Sequence, residues 1–220
     1  MPYLLLLLSY LAGATPTSYW VGRAFHGIDL REHGSGNLGA TNSFRVLGAA
    51  SAAPVMVVDI AKGFAPVFFF PALAGLGFGW ALAFGAAAIV GHVFSIWMGF
   101  KGGKGIATSC GVFLAFAPWA VLGAFLLWVA LVFSTGYVSL GSIGAAIALP
   151  ILLLFTPHEG GTGLMAFTLV LATFVIWAHR ANIGRLVRGE ENRFRRAPVG
   201  AAQDEADASG VDASETEPAA

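Results

Sequence analysis

Apolar residues fill seven stretches of the chain, and Gly, Pro and polar residues separate them. The stretches cover residues 2–21, 50–72, 79–98, 105–117, 119–134, 137–156 and 163–179. A helix needs about 20 apolar residues to cross a hydrocarbon core of roughly 30 Å, or somewhat fewer where polar ends snorkel. The pattern therefore predicts an all-α protein, a polytopic bundle of transmembrane helices. The boundary at Pro118, between the fourth and fifth stretches, is the least marked.

The positions of the basic residues predict how the bundle is oriented. Lys and Arg lie within residues 23–45, at Lys62, within 101–104 and within 180–196, and the other linkers have none. Because cytoplasmic loops carry an excess of Lys and Arg, the three basic zones are expected in the cytoplasm. The roughly 75 apolar residues from 105 to 179 fit four crossings better than two. This predicts seven helices, with five as the alternative, the N-terminus outside and the C-terminus inside.

The two ends of the chain differ in character. No Lys or Arg precedes the first apolar stretch, as a signal peptide would require, so we expect a retained helix. Residues 204–220 hold six of the twelve acidic residues, and this part of the chain is rich in Ala and Ser. Such a composition is typical of disorder. We therefore expect a transmembrane domain at 1–196 and a disordered acidic tail at 197–220.

The amino-acid composition indicates the class of protein and excludes several kinds of site. The chain is 57% hydrophobic and 11% charged, with a mean hydropathy of +0.75, which suits a membrane protein. The single cysteine, Cys110, excludes an intramolecular disulfide and a thiolate metal cluster, and we interpret it as a packing residue. No two histidines have the i, i+4 spacing of a helical zinc site. We expect no metal, no cofactor and no nucleic-acid partner.

The sequence SGNLGATNS, residues 35–43, is a polar segment in an otherwise apolar chain. Its small residues would let a ligand approach closely, and an arginine shortly after it could form a bidentate contact with phosphate or carboxylate. The alternative is an ordinary turn with a helix cap. The candidate ligand-binding residues here are Ser35, Gly36, Asn37, Gly39, Thr41, Asn42 and Arg45.

A second polar segment, KGGKG at residues 101–105, precedes an apolar stretch. Glycines can turn backbone N–H groups inward, and a following helix adds its positive end, so the pattern predicts an anion site. The segment is not a nucleotide-binding P-loop, because Met98 stands where the first Gly is needed and Gly105 follows Lys104. An interfacial loop with snorkelling lysines is the alternative. The candidates are Lys101, Gly102, Gly103, Lys104 and Gly105.

The third segment, HRANIGRLVRGEENR, follows the last apolar stretch. On a continuous helix His179, Asn182 and Arg185 would lie near one face and could converge on one ligand. The alternative is a basic cluster that only fixes topology. Two adjacent acidic residues, Glu190 and Glu191, close the segment.

Three polar residues fall inside predicted membrane helices, where polar side chains are costly. Asp59 and Lys62 are spaced i, i+3 on the second helix and can pair. His92 lies at a similar depth on the third helix. We expect these three to brace the polar segments structurally.

The quoted segments, with VVDIAKG and GHVFSIWMGF, resemble the bacterial acyl-phosphate:glycerol-3-phosphate acyltransferase family over residues up to about 195. The resemblance implies acyl transfer from acyl phosphate to the 1-hydroxyl of glycerol 3-phosphate, giving lysophosphatidic acid and phosphate at the cytoplasmic face of the inner membrane. It implies catalytic roles for Ser35, Arg45, Lys104, His179 and Asn182, and substrate binding by the other candidates. The latter include Arg185 and Glu191, which matches the family's acidic position better than Glu190.

The reaction that the resemblance implies does not identify the group that takes the proton from the acceptor hydroxyl. Acyl phosphate is already activated, so no covalent acyl-enzyme is needed. Either His179 or the departing phosphate could take the hydroxyl proton, and we favour the phosphate. No histidine is followed, after four residues, by Asp, so the pattern of the other large acyltransferase class is absent. The competing function is a carrier of anionic metabolites, since broken helices also build transporters.

Overall fold

The computed structural model describes residues 1–194, and all of its regular elements are helices. The expected tail lies outside the described residues. The elements are α1 (Pro2–Ala14), α2 (Thr17–His26), α3 (Ala40–Leu47), α4 (Ala49–Ala74), α5 (Phe78–Val93), a 3₁₀ turn (Ile96–Met98), α6 (Ile106–Phe116), α7 (Pro118–Thr135), α8 (Val138–Leu153), α9 (Gly161–Ala178) and α10 (Arg180–Val187). The all-α prediction is confirmed, and so is the break before Pro118.

Helix length divides the apolar helices into two groups. Within residues 1–194, four segments are long and apolar enough to cross a membrane: α4, α5 with its 3₁₀ turn, α7 and α9. The bent pair α1 and α2 would be a fifth span. At 1.5 Å per residue, α6 and α8 extend over about 16 and 24 Å, less than the hydrocarbon thickness. Whether these two also cross, giving seven spans, stays a prediction.

Contacts between helix ends define two ends of the bundle. At the apolar end the rings of Phe78 and Phe116 lie 5.2 Å apart, and the α1 and α5 starts meet through Tyr3 and Trp80 at 5.6 Å. At the other end, here called the polar end, the Phe194 N–H donates to the Gly136 carbonyl at 2.7 Å. The KGGKG loop and the start of α10 also meet there through Lys104.

The first predicted helix, over residues 2–21, is wrong as a single element. It bends by 42° between α1 and α2 and continues to His26. Pro16 has no N–H and interrupts the helical hydrogen bonds, so nearby carbonyls need other donors. Lys62 Nζ donates to the Thr15 carbonyl at 2.8 Å, and Ser95 Oγ donates to the Ala14 carbonyl. The bend is therefore secured by side chains from α4 and from the segment after α5.

Glycines let α4 and α6 pack backbone to backbone. A Cβ on Gly63 would overlap the Thr108 carbonyl, and one on Gly111 would overlap the Ile60 carbonyl. Small residues at helix crossings are how membrane helices gain close packing, because burial away from lipid contributes little. The start of α6 is thus fixed against α4, and Lys104, two residues before α6, is fixed with it.

Candidate active site

The three polar segments meet at the polar end, as the sequence predicts. The carbonyl of Leu38, in the first segment, packs against Gly103 in the second, and Lys104 Nζ donates to Asn182 Oδ1 in the third. The second segment therefore lies between the other two.

A hydrogen-bonded network continues from Lys104 into the third segment. Asn182 Nδ2 donates to Glu191 Oε1 at 2.6 Å, and Arg185 Nε donates to Glu191 Oε2 at 2.7 Å. Asn182 and Arg185 are three residues apart on α10, so they share a face. Ser139 Oγ adds a third donor to Glu191, at 2.9 Å. Glu191 thus joins α8 and α10 and sits one residue away from Lys104 in the network.

The two adjacent glutamates, Glu190 and Glu191, differ in side-chain exposure and in their partners. The Glu191 side chain is 6% exposed, whereas that of Glu190 is 57% exposed and pairs only with the exposed Arg188 at 2.7 Å. Burial raises the pKa of the Glu191 carboxyl, but hydrogen bonds from Asn182, Ser139 and Arg185 outweigh burial and lower that pKa overall. Glu191 is therefore a carboxylate near neutral pH, with its charge facing the network.

Lys104 has an unusual protonation equilibrium for a lysine. Burial lowers the pKa of its ammonium to about 8; the Glu191 carboxylate opposes this shift, and Arg185 adds to it. The group is cationic at neutral pH but loses its charge as the pH rises through about 8. A partly desolvated cation of this kind is well suited to bind an anion, because few waters must be displaced.

His179 is at a helix break rather than within a helix. α9 ends at Ala178 and α10 begins at Arg180, so the continuous helix assumed for the third segment is wrong. The Nδ1 of His179 lies 2.8 Å from the Val175 carbonyl, which can only accept, so Nδ1 carries the hydrogen and Nε2 is left as an acceptor. Burial and the nearby Lys104 lower its pKa to about 4, so His179 is neutral at physiological pH.

Two glycines of the KGGKG loop use their main-chain N–H groups to attach the loop to the end of α5. The N–H groups of Gly102 and Gly103 donate to the carbonyls of Val93 and His92 at 2.9 and 3.1 Å. The prediction that these two amides form an open anion nest is therefore wrong, because main-chain acceptors already occupy them. Gly105 adopts a left-handed φ of 80° and is the N-cap of α6, and Lys101 is exposed.

Gly102→Ala should lower kcat/KM at least ~10-fold, because an added Cβ would overlap the His92 carbonyl and displace the loop that carries Lys104. Steady-state rates in detergent measure this loss. Gly77→Ala is the matched control, since nothing lies within 4 Å of a Cβ at that position. Equal rates for the two variants would show that the loop tolerates displacement.

Asn42 shapes the first segment from inside. It is buried; its Oδ1 accepts the Ser35 N–H at 2.9 Å, and its Nδ2 donates to the carbonyls of Leu30 and His33 at 3.2 and 3.0 Å. Both ends of the amide are thus bonded within the loop, which gives Asn42 an internal role, and its contact with a ligand stays a prediction. Gly36 has a φ of 68°, which the turn requires.

The remaining residues of the first segment lie nearer the surface. Ser35 and Arg45 are exposed, and Asn37 and Thr41 are half-buried. Gly39 caps the start of α3, which carries Arg45 in its last turn. Within residues 1–194, the network centred on Glu191 does not extend to Ser35 or Arg45. These two side chains present a hydroxyl and a cation on a neighbouring part of the same end.

The expected buried polar cluster is present. Lys62 Nζ lies 2.7 Å from Asp59 Oδ1, and His92 Nδ1 lies 3.9 Å from the same oxygen. All three side chains are buried. At 1.5 Å per residue, Asp59 is about 15 Å from the start of α4. The His92 carbonyl also accepts the Gly103 N–H of the KGGKG loop at 3.1 Å; that the cluster braces the second segment stays a prediction.

Ser139 is the functional candidate that the sequence interpretation missed. It lies at the start of α8, next to the polar end, and is buried against Glu191. A serine in the first turn of a predicted span, on the basic side, was an available signal, but it is weak because such serines commonly bond their own helix. Among the described residues, no group of three His, Cys, Asp or Glu side chains is placed to hold a metal.

The chain is similar to known proteins over most of its length. The sequence model of the glycerol-3-phosphate acyltransferase family matches residues 3–189. The glycerol-3-phosphate acyltransferase of Syntrophotalea carbinolica is 46% identical over 193 residues, 88% of this chain and 97% of that protein. That of Fusobacterium nucleatum is 43% identical over 190 residues, covering 86% and 96% of the two chains.

Two solved structures share the fold. Both are of PlsY, an integral membrane glycerol 3-phosphate acyltransferase, in a glycerol 3-phosphate form and a lysophosphatidic acid form. The first matches with a TM-score of 0.81 at 36% identity, covering 88% of this chain and 96% of that one. The second matches with a TM-score of 0.79 at 35% identity, covering 88% and 95%. This chain therefore belongs to the glycerol-3-phosphate acyltransferase family, whose members are integral membrane enzymes of this helical fold.

Proposed function

We propose that this enzyme takes its acyl group from acyl phosphate and places it on the 1-hydroxyl of glycerol 3-phosphate. Acyl transfer to glycerol 3-phosphate is the family's activity; the donor, the hydroxyl and the residues that act are the proposal. The observation that carries it is Lys104, a half-buried ammonium bonded to the Asn182–Glu191 network beside neutral His179. The related PlsY was solved in a glycerol 3-phosphate form and a lysophosphatidic acid form. These two molecules are the acceptor and a product of the proposed reaction.

The polar end offers two cationic places for two phosphorylated substrates. Arg45 and Ser35 lie on the exposed first segment, where a soluble molecule arrives easily. Lys104 lies deeper, next to the start of α6, whose unpaired N–H groups add positive potential. We assign the glycerol 3-phosphate phosphate to Ser35 and Arg45, with Asn37 and Thr41 beside them. We assign the acyl phosphate to Lys104, because its acyl chain must remain in the apolar bundle or the membrane.

The reaction needs alignment and charge stabilisation more than a nucleophile from the enzyme. The acceptor oxygen attacks the carbonyl carbon, a new ester C–O bond forms, and the bond from that carbon to the bridging phosphate oxygen breaks. The hydroxyl proton ends on the departing phosphate, which leaves as HPO₄²⁻. Lys104 would offset the negative charge that grows on the phosphate, and preorganised contacts of this kind contribute strongly to rate.

His179 fits an orienting role better than the role of base. With a pKa near 4 its imidazole is a weak proton acceptor, whereas its free Nε2 can accept a hydrogen bond from the attacking hydroxyl. The phosphate of the donor lies next to the reacting carbon and becomes more basic as it departs. The proton therefore has a closer and stronger acceptor than His179.

His179→Asn should retain kcat within about tenfold of the wild type, because an amide can still orient the hydroxyl. A general base would contribute about 10² to 10⁴. The pH–rate profile of the variant should keep its shape. A thousandfold slower enzyme with normal substrate binding and no pH dependence would identify His179 as the base after all.

The proposed function is tested by phosphate release from purified protein in detergent or a lipidic mesophase. Acyl phosphate and glycerol 3-phosphate together should give phosphate and 1-acylglycerol 3-phosphate in equal amounts, and neither substrate alone should do so. An acyl thioester in place of acyl phosphate should give no product. A carrier would require a sealed compartment and would form no ester, so product formation in detergent separates the two functions.

We also propose that the polar end faces the cytoplasm of the bacterial inner membrane. The basic side chains at 23–45, 101–104 and 180–193 favour that side by the positive-inside rule. Glycerol 3-phosphate is a dianion that does not cross lipid unaided, so a cytoplasmic site also places the enzyme with its acceptor. Labelling of single cysteines at Lys101 and Phe78 positions in intact cells and in inverted vesicles tests this orientation.

A further inference from the structure

The segment that follows α10 crosses over the turn between α7 and α8. We call residues 190–194 the C-terminal strap. Its last described residue, Phe194, donates its N–H to the Gly136 carbonyl at 2.7 Å. Arg193 Nε donates to the Tyr137 hydroxyl at 3.2 Å, and the guanidinium lies 5.3 Å from the centre of that ring. The aliphatic carbons of Arg193 lie against Gly136. The strap is therefore attached at its far end by three kinds of contact.

The attachment has a fixed spacing relative to the active-site network. Tyr137 is two residues before Ser139, and Arg193 is two residues after Glu191. Ser139 and Glu191 bond each other at 2.9 Å. Since one residue spans at most about 3.5 Å, a strap held at residue 193 keeps the Glu191 Cα within about 7 Å of the Arg193 Cα, and so on the side of the α7–α8 turn where Ser139 lies. Without that attachment, the Glu191 backbone would be held from its N-terminal side alone, where the Glu190 N–H donates to the Arg185 carbonyl at 2.8 Å after Gly189, a left-handed residue with a φ of 71°.

Gly136 suits this arrangement for a conformational reason. It ends α7 with a φ of 78°, in the left-handed region that glycine adopts without strain. The carbonyl of such a terminal residue is turned out of the helix and is open to a donor from elsewhere. That donor is Phe194.

We propose that Tyr137 and Arg193 are positioning residues: they latch the C-terminal strap across the α7–α8 turn and thereby hold the Glu191 carboxylate against Ser139, Asn182 and Arg185. The inference rests on the proposed function only in its claim that Glu191 supports catalysis. The contacts of Phe194, Arg193 and Tyr137 in this structure carry the latch.

The latch can be measured without any activity. The Phe194 amide is hydrogen-bonded only while the strap is attached, so its hydrogen exchange reports attachment. We expect exchange near this residue to be at least ~5-fold faster in full-length Arg193→Ala and Tyr137→Ala than in the wild type. Arg188→Ala, which removes an exposed arginine outside the latch, should leave the exchange rate unchanged. Unchanged exchange in both latch variants would overturn the latch.

A double-mutant cycle tests whether the latch acts through Glu191. We expect Arg193→Ala to lower kcat/KM for glycerol 3-phosphate by about 10-fold and Glu191→Gln by about 100-fold. If Arg193 works by placing Glu191, the double variant should be no slower than Glu191→Gln alone. An additive loss of about 1000-fold would overturn the proposal, and so would an Arg193→Ala enzyme as fast as the wild type.

Two further variants keep the test decisive if Arg193→Ala folds poorly. Arg193→Lys retains a cation over the Tyr137 ring and should recover most of the rate. Tyr137→Phe keeps the ring and removes only the hydroxyl, so its loss should be smaller than that of Tyr137→Ala. If the two Tyr137 variants are equally slow and Arg193→Lys recovers nothing, the latch is wrong. A wild-type enzyme that forms no ester would instead defeat the proposed function, while hydrogen exchange would still report the strap.

The pH dependence adds a readout that a purely structural defect would not move. Lys104 is surrounded by Asn182, Glu191, Arg185 and His179, and of these only Glu191 supplies negative charge. Moving Glu191 away should shift the alkaline fall of kcat/KM to lower pH in Arg193→Ala, as it should in Glu191→Gln. If kcat/KM of Arg193→Ala falls at the same alkaline pH as that of the wild type, the proposed role is contradicted.

Discussion

Lys104→Met should lower kcat/KM by about 10² to 10³-fold, the usual cost of removing one preorganised group that stabilises developing charge. Methionine keeps most of the stem and removes the ammonium, so the loss reports the charge and its hydrogen bond to Asn182. Steady-state phosphate release in detergent measures the effect. The kcat/KM of Lys104→Arg should lie between those of the wild type and Lys104→Met. Arginine keeps a cation, but its planar guanidinium has a different shape from the ammonium.

The matched comparison is Lys101→Met. Lys101 is exposed and precedes the same glycines, so solvent screens its charge and the loss should be much smaller. Arg188→Met, which removes an exposed arginine paired with Glu190, should leave the rate unchanged. If Lys101→Met and Lys104→Met have the same kcat/KM, burial of Lys104 is not what makes it effective.

The wild-type pH profile provides an independent check on Lys104. Its depressed pKa of about 8 means that the ammonium is mostly protonated at neutral pH, half-protonated near pH 8 and largely neutral above it. The profile of kcat/KM, which reports the free enzyme, should therefore fall as the pH rises through about 8. The Lys104→Arg enzyme, whose cation does not titrate in this range, should lack that fall.

Glu191→Ala should lower kcat/KM by about 100-fold. The substitution removes the acceptor shared by Asn182, Arg185 and Ser139, and leaving buried donors unpaired costs about 1–3 kcal/mol for each group. Asn182 would then be free to turn away from Lys104. Steady-state kinetics and a thermal melt on the same samples separate lost catalysis from lost folding.

Glu190→Ala is the natural control, because the adjacent side chain is exposed and pairs only with Arg188. Its kcat/KM should match that of the wild type within about twofold, as for most exposed ion pairs. A large loss for Glu190→Ala with a small one for Glu191→Ala would reverse the assignment of the family's acidic position.

Hydrophobic pattern was enough to find the helices but not their internal breaks. Six of the seven predicted stretches match described helices to within a few residues, because each apolar run is bounded by Gly or Pro. The first failed at Thr15 and Pro16, since an apolar run predicts a helix whether or not the proline bends it. The bend depends on Lys62 and Ser95, which are distant in sequence, so local pattern could not reveal their role.

The candidate site was predictable to the level of segments. Residue types picked out three polar segments as candidates for one site, and the contacts of Leu38 with Gly103 and of Lys104 with Asn182 bring these segments together. The direction in which a main-chain amide points is not encoded in residue type, so the engaged amides of Gly102 and Gly103 could not be foreseen. Ser139 and the internal role of Asn42 likewise depend on tertiary contacts.

The spacing of Asp59 and Lys62 bears on how the protein is made. Each charge alone would oppose transfer of α4 from the translocation machinery into lipid, by about 2.5–3.5 kcal/mol near the helix centre. Because the two are one turn apart on the same helix, they can neutralise each other while α4 is still emerging, before α5 has followed and before α1 has packed against α4. The Lys62 ammonium then has two donors left for the Thr15 carbonyl when α1 packs. An acid and a base on different helices would have had to wait for one another in an unassembled chain, so the i, i+3 spacing makes insertion of α4 independent of the order in which the bundle assembles.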